Sequence, residues 1–128
     1  MASQGNKKFG PKRVLASIIN SYNGLKVAYK NEQSMYIHAF ATVILLTLSI
    51  FLKISLLEWL AVVAIIGLTL TIELLNTAIE STVDLVTKDY NALAKIAKDT
   101  ASAAEFVMAV TGGIISLLIF IPKIIALL

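Results

Sequence analysis

The chain has no cysteine, so neither a disulfide framework nor a thiolate metal site is open to it. With one histidine and two prolines it has little for an imidazole metal cage and little to interrupt long helices. Charge is scarce as well: 15% of the 128 residues are Asp, Glu, Lys or Arg, against 58% hydrophobic. Soluble domains carry about 25% charged residues, so an ordinary soluble domain is excluded. The mean hydropathy of +0.84 points to a membrane instead. Neither the phosphate-cradling G-x-x-x-x-G-K-[ST] loop nor a kinase-type G-x-G-x-x-G loop occurs. No removable secretory leader is expected, since the first apolar block begins near residue 35 without a small-residue cleavage site.

What remains is a single domain, 1–128, of long apolar segments. Residues 33–52, "QSMYIHAFATVILLTLSIFL", reach bilayer-spanning length without a formal charge if His38 is neutral. Residues 106–122, "FVMAVTGGIISLLIFIP", give another span, ended by Pro122. Between them, "EWLAVVAIIGLTLTIELLNTAIESTVDLV" exceeds one crossing, and Ser55 with Glu58 matches a capping box at its start. The expected transmembrane helices are about 34–52, 57–87 and 98–121, an all-α integral membrane fold.

Residues 11–30 differ. Val14, Leu15, Ile18, Tyr22, Leu25 and Tyr29 recur at helical spacing among Lys12, Arg13, Asn20, Asn23 and Lys26. That pattern predicts an amphipathic helix lying on the membrane surface, with Pro11 in its first turn.

The positive charges set an orientation. Lys7, Lys8, Lys12, Arg13, Lys26 and Lys30 precede the first span, and Lys88, Lys95 and Lys98 lie in the second connection. Only Lys53 and Lys123 fall elsewhere. The positive-inside bias puts the amino terminus and residues 88–98 in the cytoplasm, with Trp59 at the outer interface. The net charge of +3 then serves an anionic lipid surface, and no nucleic acid is expected.

The stretch "TIELLNTAIESTVDLV" carries the chemistry. At 100° per residue, Glu73, Glu80 and Asp84 fall within about 20° of one line, with Asn76 about 60° aside. Intramembrane acids are costly and usually functional. Glu73 and Glu80 are about 10.5 Å apart along the axis, too far to share one small cation unaided. A metal at Glu80 therefore needs oxygens from elsewhere, and Glu32 in "KNEQ" is the best protein candidate. Asp84 fits either this stripe or simple hydration. The residues alone reach a cation- or proton-linked site, which an ion-coupled membrane protein would share.

Residues 73–104, "ELLNTAIESTVDLVTKDYNALAKIAKDTASAA", together with "NGLKVAYKNE" and the ending "LLIFIPK", resemble the small prokaryotic membrane lipid kinases, the diacylglycerol kinase and undecaprenol kinase family. The resemblance leans toward the undecaprenol branch. It implies a homotrimer with sites between subunits, phosphorylating a lipid alcohol with ATP and Mg²⁺. Carried onto this chain, Glu73 would be the general base, Glu32 and Glu80 metal ligands, and Asn76 an orienting residue. Lys98 and Asp99 would hold the nucleotide, with Arg13 near its phosphates and Asp89, Tyr90 and Asn91 against it. Ser102 would lie near the lipid hydroxyl. Gln33 and Tyr36 depart from the pattern, since family members often carry arginine there. Glu105 departs too, and is read as a solvated acid in the first turn of the third span. His38 is read as a hydrogen-bonded interface residue rather than a proton shuttle, Trp59 as an interfacial anchor, and Gly112-Gly113 as a close-packing point.

Overall fold

The structure, a computed structural model, describes residues 10–128. Lys7 and Lys8 of the basic segment lie outside the described residues. Every regular element among those described is a helix: α1 (Pro11–Asn31), α2 (Gln33–Phe51), α3 (Leu56–Val86) and α4 (Ala92–Ile125). Helices α2, α3 and α4 are each long and apolar enough to cross a membrane.

Local chemistry sets the boundaries. Pro11 suits the first turn of α1, where its missing N–H would be unpaired anyway. Only one residue, Glu32, separates α1 from α2; its backbone is extended (φ −108°, ψ 116°), and its N–H bonds Ala28 O at 2.8 Å. Tyr29 and Tyr36 bracket this break edge to face, ring centroids 6.0 Å apart. Tyr36 therefore has a packing role at the bend.

The turn between α2 and α3 closes the far end of the bundle. Ile54 N–H reaches back to Ser49 O and Lys53 N–H to Ile50 O, both at 3.2 Å. This is a Schellman-type stop, with Lys53 in the left-handed region at φ 48°. Ile54 is thereby folded into the main apolar cluster with Val62, Ile119 and Phe120. The capping box read from Ser55 and Glu58 is present: Ser55 N–H donates to Glu58 Oε2 at 2.6 Å, and Glu58 N–H to Ser55 Oγ at 3.4 Å. Trp59 packs against the apolar cluster.

Helix α4 departs from the expected 98–121 at both ends. It starts at Ala92 because Asn91 caps it, Oδ1 accepting from Leu93 N–H at 2.9 Å and Ala94 N–H at 3.2 Å. It also runs through Pro122 instead of ending there. Lys123 Nζ lies 3.0 Å from a Glu58 carboxylate oxygen, tying this last turn to the start of α3. Ala126 N–H closes the turn on Pro122 O at 3.1 Å.

The pair α3–α4 packs most extensively. At Gly112 a Cβ would come within 3.0 Å of Ile65 Cγ2, so the absent side chain allows the close approach; a Cβ on Gly113 would meet nothing within 4 Å. Within the described chain, Gly112 is a packing point. In α1, by contrast, Ala28 alone is buried.

Candidate functional site

The half of α3 away from Trp59 carries the polar stripe, and its first member is the most buried acid. Glu73 is 2% exposed. Ser34 Oγ donates to Glu73 Oε1, and His38 Nε2 lies 3.3 Å from Glu73 Oε2. Both partners come from α2. The acid in the apolar helix is thus paired with donors, as burial of a carboxylate demands. His38 is hydrogen-bonded as read, but to the candidate base itself. Ser34 was not foreseen, although "SMYIH" does place two polar side chains at i, i+4 on an apolar span.

Asn76, one turn along from Glu73, is 9% exposed. On the third side, Glu105 of α4 sets its carboxyl beside Glu73 and Asn76. The expectation of a solvated first-turn acid at Glu105 is wrong. With α4 starting at Ala92, Glu105 lies well inside the helix, and its Oε1 is buried. Among the described residues, neither Asn76 Oδ1 nor Glu105 Oε1 has a hydrogen-bond partner.

A second polar group lies farther along α3. Asp84 Oδ1 and Lys98 Nζ meet at 2.6 Å, joining α3 to α4. Lys95 pairs with Asp99 one turn apart on α4. Thr87 Oγ1 accepts from Asp89 N–H at 3.1 Å and shapes the connecting loop. A cleft of about 240 Å³ is lined by Asp84, Lys88, Asp89, Tyr90, Asn91, Lys95, Lys98 and Asp99. Five residues expected around a nucleotide (Asp89, Tyr90, Asn91, Lys98 and Asp99) therefore share one cleft. Asn91 also has a purely structural job as the α4 cap.

Other candidates stand apart. Glu80 is half-buried between Glu73 and Asp84 on α3, and Glu32 is half-buried at the α1–α2 break. Among the described residues no group of three or more His, Asp or Glu side chains could hold a metal ion. Two carboxylates with phosphate oxygens still suit Mg²⁺, which seldom takes an all-protein cage. Arg13 sits at the opposite end of α1 from Glu32, about 28 Å along the helix. Ser102 is exposed on α4. An apolar groove of about 630 Å³ runs between α1 and α3, with Gly24, Leu25 and Ala28 facing Leu74, Thr77 and Ala78.

Three membrane-capable helices, with a buried acid paired to a neighbouring helix and a polar cleft farther along, make this a small helical multi-pass membrane protein. The family model described as prokaryotic diacylglycerol kinase matches residues 19–120. An undecaprenol kinase of Bacillus subtilis is 40% identical over 111 residues, 87% of this chain and 90% of that protein. A diacylglycerol kinase of Pseudomonas aeruginosa is 38% identical over 98 residues, 77% of this chain and 80% of its own length. One from Synechocystis is 36% identical over 120 residues, covering 90% of this chain and 66% of that protein. The chain belongs to the prokaryotic diacylglycerol kinase family and is a membrane lipid kinase.

Proposed function

We propose that this kinase transfers the γ-phosphoryl group of ATP, with Mg²⁺, to the hydroxyl of undecaprenol, making undecaprenyl phosphate for lipid-carrier supply in cell-wall synthesis. Diacylglycerol is the second candidate acceptor. The observation that carries this reading is an order along α3. Glu73 comes first, then Glu80 about 10.5 Å on, then Asp84 with its Lys98-lined cleft about 6 Å beyond. That is the order in which a lipid hydroxyl, a triphosphate and a nucleoside would lie.

Each residue then has a task. Glu73 takes the hydroxyl proton while the alcohol oxygen bonds to the γ-phosphorus, the bond to the bridging oxygen breaks and ADP leaves. Glu80 and Glu32 hold Mg²⁺, which when bound neutralises the triphosphate. Lys98, Asp99 and the loop Asp89–Asn91 hold the nucleotide, and Asn76 and Ser102 orient the acceptor. The groove between α1 and α3 gives the lipid tail an apolar bed within a turn of Glu73.

The working unit in this reading is a homotrimer of one-domain chains in the prokaryotic plasma membrane. Helix α1 lies on the cytoplasmic surface, and the site faces the cytoplasm. The span of α1 supports shared sites, because Arg13 lies too far from its own Glu32 to meet the same phosphates along the helix. The basic residues of the amino-terminal segment and of 88–98 support the orientation.

The acceptor follows from what the site lacks. Strong selection for diacylglycerol needs polar groups that read its ester carbonyls, whereas the α1–α3 groove presents mostly apolar surface, its polar side chains being the uncharged Ser21, Asn23, Thr77 and Ser81. Similarity to the Bacillus subtilis undecaprenol kinase points the same way. In mixed micelles holding both lipids at equal mole fraction, undecaprenol should show the higher kcat/KM. A clear preference for diacylglycerol would overturn the choice of acceptor.

A further inference from the structure

Ser34 and His38 stand one turn apart on α2, and both reach the carboxyl group of Glu73. Ser34 Oγ donates to Oε1; His38 Nε2, in the tautomer that carries hydrogen there, donates to Oε2 across 3.3 Å. Glu73 is 2% exposed while the His38 side chain is 23% exposed, so the grip is made where α2 closes over α3. An ionised carboxylate offers about four lone-pair sites. Two donors on two different oxygens fix the plane of the group and leave one lone-pair site on each oxygen. Thr77 Oγ1 bonds the backbone carbonyl of Glu73 at 3.1 Å, so the helix at this turn is held separately from the side chain.

We propose that Ser34 and His38 are positioning residues for Glu73: together they clamp both carboxylate oxygens so that a remaining lone pair is aimed at the lipid hydroxyl. The inference rests on the reading of Glu73 as general base. A glutamate side chain has three rotatable bonds, and an unclamped one spreads its oxygens over several positions. Misplacing a reacting group by about 1 Å can lower a rate about 100-fold. Neither Ser34 nor His38 needs to touch the phosphoryl group or ATP for this effect, so their removal should act on kcat rather than on the nucleotide.

The test uses the full chain in lipid–detergent micelles with ATP, Mg²⁺ and whichever of undecaprenol and diacylglycerol turns over faster. Ser34→Ala, His38→Ala, His38→Gln and the double alanine variant are compared in the parent and in a Glu73→Gln background, with thermal unfolding recorded for each. The clamp predicts that each alanine change lowers kcat by about 10-fold to 100-fold with KM for ATP unchanged. His38→Gln, whose amide can donate from a similar position, should recover part of the loss. In the Glu73→Gln background the residual rate should not fall further. Parent-like kcat in the double variant overturns the clamp, as does an equal fall in the Glu73→Gln background or a loss that tracks thermal unfolding. If Glu73→Gln itself turns over like the parent, the base reading falls and takes the clamp with it. An inactive Glu73→Gln beside silent Ser34 and His38 variants overturns the clamp alone.

Discussion

Lys98 reaches across from α4 to Asp84 on α3, Nζ to Oδ1 at 2.6 Å, and both residues line the loop cleft. Both side chains are partly open to solvent, at 36% and 53% exposure. Exposed ion pairs of this kind contribute little to stability. If Lys98 holds the nucleotide, Lys98→Ala should raise KM for ATP at least about 10-fold and barely move thermal unfolding. Asp84→Asn leaves the ammonium in place and should act more weakly. ATP titrations on both variants check this, and a large loss of thermal stability with unchanged KM would make the pair structural.

Lys53 occupies the left-handed stop of α2 at φ 48°. A side chain there is disfavoured by about 1 kcal/mol relative to glycine, and the Lys53 side chain is exposed. Lys53→Gly should therefore raise thermal stability in detergent by about 1 kcal/mol at unchanged specific activity. Thermal unfolding of the purified variant reads the sign directly.

Glu32 and Glu80 enter the account as hard oxygen ligands on different elements. Each of Glu32→Ala and Glu80→Ala should raise the Mg²⁺ concentration needed for half-maximal ATP use, because each removes one carboxylate. Mg²⁺ titrations overlaying the parent curve in both variants would remove the metal assignment.

The sequence was a good guide where one helix decides. Acids in an apolar run mark the stripe on α3 without knowledge of its neighbours, and the Ser55–Glu58 capping box is a four-residue signal. It was a poorer guide where two helices must be brought into register. Nothing local says that Ser34 and His38 of α2 meet Glu73 of α3, thirty-nine and thirty-five residues away. Glu105 was misread because the third apolar span was taken to begin at residue 106, whereas the helix starts at Ala92; Asn91, a strong N-cap residue, was the available clue. Pro122 misled in the opposite direction. Its ring removes one bond of the helical ladder, yet α4 continues through it to Ile125, and Lys123 in that last turn pairs with Glu58.

The most direct test of the central claim is single-turnover phosphoryl transfer to undecaprenol by Glu73→Gln, with nucleotide binding measured on the same preparation. The substitution keeps the shape of the side chain and removes its basicity. The account predicts nucleotide binding within a few-fold of the parent and transfer slowed by about 10²–10⁴-fold, the range typical of losing a general base. Transfer at the parent rate with intact binding would contradict it, and the reaction would then need another base.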